Sequence, residues 1–248
     1  MRQFGLIGYP LGHSFSRTYF TEKFGREGIA DAAYALYPIS SLDQLPALLQ
    51  AQPSLAGLNV TIPYKEKVIP YLDQLHESAR KVGAVNVIRI EKGVLTGYNS
   101  DYFGFKQSLL EWMGQEALAG KKALVLGTGG ASKAVCAALT DLQIPYRLVS
   151  RQPASQQLSY AQLHQQPELL QEYRLIINTT PLGMHPQPMA APDLPYHVIG
   201  SGHYLYDLVY NPAQTVFMQA GSQRGAATKG GLQMLQLQAE RAWEIWNS

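Results

Sequence analysis

Three sets of residues in this 248-residue sequence have types and spacings that chemistry can use. In Asn59-Val60-Thr61-Ile62-Pro63-Tyr64-Lys65, strand alternation sends Asn59 and Thr61 to one face, and the proline ends the strand and delivers Lys65 into the turn. A lysine so held can lose solvation and titrate nearer neutrality, which suits it to acid–base chemistry. Lys67, two residues on, reads as an ordinary solvated charge. A second set lies where strands end, the place where open α/β sheets put their ligands: His13-Ser14-Phe15-Ser16, Asn86, and Asn99-Ser100-Asp101. Hydroxyls beside the free N–H groups of a helix start can hold a carboxylate. Taken singly, Ser16 reads as a plain helix cap, His13 as a hydrogen-bonded loop histidine, and Asp101 as the N-cap of the helix after it.

The third set is Gly127-Thr128-Gly129-Gly130-Ala131-Ser132, which follows an apolar run and opens a helical one. Gly127 permits the tight turn, Gly129 lets a pyrophosphate approach the backbone, and the helix start supplies unpaired N–H groups. Ser132 takes the third fingerprint position, where glycine or alanine is usual. About 20 residues on, an acid would bind the ribose 2′-hydroxyl, but the sequence has Ser150-Arg151-Gln152 and no acid nearby. Arg151 suits a 2′-phosphate, so NADP(H) is the preferred cofactor, with NAD(H) left open.

The elements that must position these groups follow from periodicity. Residues 4–9, 34–39 and 55–62 read as strands, 16–27 and 42–49 as helices, 75–81 as a further helix, and 84–90 with 94–98 as a hairpin around Glu91-Lys92-Gly93. From Asp101 the pattern changes: helix 102–113, strand 122–126, glycine turn, helix 132–142, strand 146–149, a Gln-rich helix 158–171, and strand 174–178. That βαβαβ order implies a doubly wound parallel sheet, continued by a strand at 204–209 and a helix at 215–223. Residues 232–246 form an amphipathic helix after Gly230-Gly231, able to pack on either half.

Composition excludes several classes. With 20 Lys+Arg against 18 Asp+Glu, the net charge of +2 carries no basic run for a nucleic-acid backbone. Apolar residues at 46% are enough for a large core, and disorder is excluded. No apolar run approaches the length that spans a bilayer. The start of the chain shows no secretory leader, and Cys136, the single cysteine, cannot form an internal disulfide, so a cytoplasmic protein is expected. No metal site is expected.

Taken in order, these segments resemble the shikimate dehydrogenase family. The resemblance rests on Gly8-Tyr9-Pro10-Leu11-Gly12-His13-Ser14-Phe15-Ser16, on Asn59 to Lys65, on Gly83-Ala84-Val85-Asn86, and on Gly97-Tyr98-Asn99-Ser100-Asp101-Tyr102-Phe103-Gly104. It continues through the glycine loop, Asn178-Thr179-Thr180-Pro181-Leu182-Gly183-Met184, Asp207-Leu208-Val209-Tyr210-Asn211-Pro212, and Gly231-Leu232 onward to Gln238-Ala239. It implies reversible NADP-dependent reduction of 3-dehydroshikimate to shikimate, on the route to aromatic amino acids. Matching positions make Lys65 and Asp101 the catalytic pair, and Ser14 and Ser16 carboxylate ligands. Asn59, Thr61, Asn86, Tyr210 and Gln238 surround the substrate. Gly127, Thr128, Gly129, Gly130, Ala131, Ser150, Arg151, Thr179 and Gly231 contact the cofactor. The chain departs from the pattern at Arg17, where the family commonly has proline, at Ser100 for threonine, and at Ser155, where a second cofactor arginine is often found.

The expected architecture is α/β in two domains. Residues 1–101, completed by the helix at 232–248, form a mixed-sheet substrate-binding domain; residues 102–231 form a Rossmann-type doubly wound parallel-sheet domain for NADP. The partner is a small molecule, neither nucleic acid nor membrane, and the protein is a monomer or homodimer. Two alternatives stand beside this reading: a quinate/shikimate dehydrogenase using NAD, and a catalytically silent shikimate-binding regulator.

Overall fold

A computed structural model describes residues 1–12 and 14–248; His13 lies outside the described residues. The chain forms two compact units, Met1–Ser100 with Gln238–Ser248, and Asp101–Leu237.

The first unit contains β1 (Arg2–Gly8), α1 (Phe15–Arg26), β2 (Ala32–Pro38), α2 (Leu45–Ala51), β3 (Leu55–Val60), β4 (Gln74–Leu75), α3 (Glu77–Val82), β5 (Val87–Glu91) and β6 (Val94–Tyr98). Its sheet runs β2-β1-β3-β5-β6-β4. β1 is parallel to β2 and β3, whereas β3 is antiparallel to β5, so the sheet is mixed. The hairpin between β5 and β6 turns on Lys92 and Gly93 at φ 50° and 81°, the left-handed pair that a two-residue loop requires. The helix expected at 42–49 is divided into a 3-10 turn, Leu42–Gln44, and α2, because Pro46 has no N–H and fits only a first helical turn.

The second unit contains most of α4 (Ser100–Leu118), whose helical path breaks at Gly114 (φ 75°), then β7 (Ala123–Leu126), α5 (Gly130–Asp141) and β8 (Tyr146–Ser150). β9 (Leu158–Ser159), α6 (Tyr160–Gln165), α7 (Leu169–Glu172), β10 (Leu175–Asn178), β11 (Tyr204–Asp207), α8 (Val216–Ser222) and β12 (Ala227–Lys229) complete it, with the first turns of α9 (Leu232–Trp246). Six strands in the order β12-β11-β10-β7-β8-β9 are all parallel, the doubly wound arrangement. β7 and β10 are buried along their whole length, as central parallel strands covered on both faces must be. The Gln-rich helix expected at 158–171 is instead β9, α6 and α7, since Pro167 interrupts the helix and Ser159 starts α6 with a reciprocal capping box to Gln162. Cys136 packs against this unit's core, where burial pushes its thiol up to about 11.

From Gln238 onward α9 belongs to the first unit. Trp246 lies against Phe4 with ring centroids 4.8 Å apart and donates its indole N–H to the Ile88 carbonyl at 3.0 Å. A methyl group on Gly57 would overlap the Trp246 ring, so the absent side chain on β3 makes the seat for this tryptophan. No helix among the described residues is long and apolar enough to cross a membrane.

Candidate active site

In the first unit, β1 and β3 run parallel and end together, and the chain beyond them is cross-tied. Thr61 N donates to the Ile7 carbonyl at 3.0 Å and Tyr9 N to the Ile62 carbonyl at 3.2 Å. The turn carrying Lys65 is anchored by Tyr64, whose buried hydroxyl donates to the Ile39 carbonyl at 2.7 Å. The Lys65 carbonyl then accepts from Val85 N at 2.7 Å, and the carbonyl of the following residue, Asn86, accepts from Val60 N at 2.9 Å. Backbone bonds thus fix Lys65, Asn59, Thr61 and Asn86 in one frame. Asn59 Nδ2 donates to the Asn86 carbonyl at 3.3 Å, and the buried Asn86 side chain bonds Ser100.

The helix start differs from the single-residue reading. Ser14, not Ser16, caps α1, accepting from Arg17 N at 3.4 Å. Ser16 lies in the first turn of α1. Asp101 is likewise no N-cap: α4 begins at Ser100, and Asp101 sits within its first turn, 7% exposed. Gln238 is half-buried on α9. Tyr210 belongs to the second unit, exposed in the segment after β11.

The second unit has a cavity of about 790 Å³ at the carboxyl ends of its strands. Gly127, Thr128, Gly129, Ser150, Arg151 and Thr179 are among its lining residues. Gly127 adopts φ +103°, a conformation that strains any side chain, and lies so close to Thr179 that a methyl group would also stand 3.0 Å from its hydroxyl. Thr179 is itself tied to the Leu126 carbonyl through N at 3.0 Å and Oγ1 at 2.7 Å. Ser132 is buried and turns its hydroxyl back to the Gly129 carbonyl at 2.6 Å, so serine is accommodated at the third fingerprint position. Gly130 and Ala131 begin α5 without lining the cavity. Gly231 is elsewhere in the unit, packed so tightly on Leu208 that a methyl group would overlap its carbonyl oxygen.

Thr180, Tyr160 and Asp193 are among the lining residues that the sequence reading did not assign to the cofactor. Tyr160 follows the Ser159 cap, so the Ser-x-x-Gln box at 159–162 is a usable signal for a helix start at the strand ends. Burial raises its phenol, with Arg151 near enough to oppose the shift and Asp193 to add to it. Asp193, which also meets His164 Nε2 at 2.9 Å, lies in a loop with no periodic signal.

A buried carboxylate braces the lining residue Thr180 through Asn178. Asp207 ends β11 and accepts from Asn178 Nδ2 at 2.9 Å, Val209 N at 3.0 Å and Thr215 Oγ1 at 2.6 Å. Asn178 Oδ1 in turn accepts from Thr180 N at 3.0 Å and its hydroxyl at 2.6 Å. Burial outweighs the three donors and pushes Asp207 up to about 6.

A glycine loop, an arginine at the end of the next strand, and a separate unit with a framed lysine and clustered hydroxyl and amide groups define a two-unit dinucleotide-dependent oxidoreductase. A family model described as the shikimate dehydrogenase substrate binding domain matches residues 6–88. The shikimate dehydrogenase (NADP(+)) of Carboxydothermus hydrogenoformans is 37% identical over 257 residues, spanning 98% of this chain and 90% of that protein. Among solved structures, shikimate 5-dehydrogenase from Thermus thermophilus in complex with NADP(H) and shikimate matches with a TM-score of 0.83 and 30% identity, over 99% of this chain and 93% of that one. The Listeria monocytogenes shikimate 5-dehydrogenase in complex with shikimate and NAD matches at 0.84 and 26%, over 99% and 91%. The chain belongs to the shikimate dehydrogenase family.

Proposed function

We propose that this protein is an NADP(H)-dependent shikimate dehydrogenase, reversibly reducing the ring ketone of 3-dehydroshikimate to shikimate in the synthesis of aromatic amino acids. The observation that carries this reading is the frame holding Lys65 beside Asn86, in a chain whose relatives of 31–37% identity are shikimate dehydrogenases (NADP(+)).

Bound NADPH supplies the hydride that reduces the ketone carbon. As it arrives, negative charge builds on the ketone oxygen; the Lys65 ammonium stabilises that charge and gives up a proton to it. Asp101 orients Lys65 and shares in the proton traffic, and the Asn86–Ser100 contact fixes the residue immediately before it. Ser14 and Ser16 bind the substrate carboxylate, while Asn59, Thr61, Asn86, Tyr210 and Gln238 contact its ring and hydroxyls. The cofactor fits the second unit's cavity: Gly127, Thr128 and Gly129 offer backbone N–H groups to the pyrophosphate, and Arg151 pairs with the 2′-phosphate. Thr179 and Ser150 complete the lining. Gly130 and Ala131 contribute through the α5 N-terminus, and Gly231 through the packing it permits.

We assign residues 1–101 and the α9 helix to substrate and residues 102–231 to NADP, in a cytoplasmic protein that is a monomer or homodimer. The deciding experiment follows the nicotinamide absorbance of purified protein with shikimate, offering NADP and NAD in turn. Turnover with NADP is expected. Shikimate binding without turnover on either cofactor would instead make the protein a silent regulator, and preference for NAD with quinate would move it to that neighbouring activity.

A further inference from the structure

Lys23 carries a charge that the proposed reaction leaves unused, and among the described residues it is the only buried lysine or arginine, 5% exposed. It lies on α1 and donates from Nζ to Glu27 Oε1 at 2.9 Å, one turn on, and to Glu240 Oε2 at 2.8 Å on α9. The other oxygen of the same carboxylate, Glu240 Oε1, accepts from the Tyr19 hydroxyl, also on α1. One helix thus grips both oxygens of Glu240, through side chains four residues apart on a single face.

Tyr19 has a second contact. Its ring is stacked on Phe15 at 5.4 Å and 26°, and Phe15 lies between Ser14 and Ser16 in the chain. At the other end of the path, Glu240 follows Gln238 by two residues, about 3 Å along the helix. Within the first unit, therefore, an unbroken series of contacts and covalent bonds joins the proposed carboxylate ligands of α1 to Gln238 of α9. The large apolar anchor of α9, Trp246, stands eight residues beyond Gln238, about 12 Å along the helix. Nearer Gln238 the core-facing residues are Ala239 and Ala242, small side chains over which a helix can slide or turn at little cost. An apolar pair in place of Lys23 and Glu240 would hold two helices together at least as well as a buried ion pair does. What the ion pair adds is one height and one rotation of α9 against α1, because a carboxylate held at both oxygens accepts few geometries.

We infer that Lys23, Tyr19 and Glu240 are positioning residues for the substrate, fixing the separation between the carboxylate-binding hydroxyls of α1 and the Gln238 amide of α9. The inference rests on the proposed function. Shikimate meets both helices at once, so an error in their register weakens its binding, while NADP and the proton chemistry of Lys65 are untouched.

The test measures shikimate KM, NADP KM, kcat, shikimate binding by calorimetry and the denaturant midpoint. Glu240→Ala should raise shikimate KM and Kd about tenfold, with kcat and NADP KM within about threefold. In a Gln238→Ala background the same change should cost under about threefold, because Glu240 acts through Gln238. The double variant Lys23→Met with Glu240→Met removes both buried-pair charges and should match or exceed the wild-type midpoint, yet keep shikimate KM raised about tenfold. A merely structural pair would not separate binding from stability in this way. Additive effects of Glu240→Ala and Gln238→Ala, an equal rise in NADP KM, or a double variant with wild-type shikimate KM would overturn the inference. If Glu240→Ala does not fold, the double variant alone decides; a chain that folds with neither change would make the ion pair a requirement of folding and overturn the inference too. Wild-type turnover reports separately on the functional reading; wild-type protein that neither turns over nor binds shikimate would remove that reading and this one with it.

Discussion

Asn86 and Ser100 hold each other by both ends of one amide: Asn86 Oδ1 accepts the Ser100 N–H at 2.7 Å, and Nδ2 donates to the Ser100 hydroxyl at 3.0 Å. The pair is buried, so each bond satisfies a group that water cannot reach. Its catalytic relevance is positional, since Ser100 is joined by one peptide bond to Asp101. Asn86→Ala orphans the Ser100 N–H and should lower stability by about 2 kcal/mol, seen as a reduced denaturant midpoint, with a fall in kcat besides. Ser100→Thr keeps the hydroxyl and should leave both within about twofold; a large loss there would mean that the hydroxyl is not what matters.

Lys65→Ala should reduce kcat by about 100-fold to 10,000-fold, the range a proton donor contributes, while shikimate KM changes only a few-fold. Steady-state rates in both directions check this. A loss confined to KM would contradict the proton-transfer role.

Arg151 is exposed among the residues that line the cavity, where its guanidinium is placed to meet an anionic ligand. Arg151→Ala should raise KM for NADP about 10-fold to 100-fold, the worth of a charge-assisted bond to phosphate, and leave KM for NAD nearly unchanged. Equal effects on the two cofactors would mean that Arg151 does not read the 2′-phosphate.

Asp207 gives a pH signature of unusual sign. Its folded value of about 6 lies above the ordinary 3.8, so between those limits the native state binds the proton more tightly than the unfolded chain. Stability therefore falls as pH rises from about 4 to about 6, on the order of 3 kcal/mol for a shift of this size. Glu27, Asp31 and Asp43 are held low by hydrogen-bonding partners and push the other way, losing stability as pH drops. The informative quantity is wild type minus Asp207→Asn, from denaturant midpoints across that range. The difference should decline with rising pH, and a flat difference would rule out Asp207 as its source.

Legibility in the sequence varies with the range of the interaction. The α9 helix can be read to its last residue, and the glycine loop to its strand and helix, because apolar periodicity and turn residues are local signals. The Gln-rich stretch misleads because polar periodicity resembles a surface helix, while Pro167 has the stronger local effect. β12 is three residues long and exists through pairing with β11, a partner the sequence does not announce. The catalytic motif is legible as a string, but Tyr34 is not: its partner Asn59 lies 25 residues away, and an aromatic on a strand looks like any core residue until the hydroxyl has a recipient. Ser14 and Ser16 exchange roles for the same reason, since the nearer backbone N–H settles which one caps.

The stacking of Trp246 on Phe4 has a consequence for how the chain is made. β1 is made before the second unit, but the aromatic group that covers it, together with Ala239, Ala242 and Ile245, is made after that unit. The intervening Rossmann-type unit draws its strands and helices from one continuous stretch and can fold as it emerges. The first unit must wait, with one face of its sheet uncovered until α9 follows, and it is the part of the nascent protein most in need of protection from association.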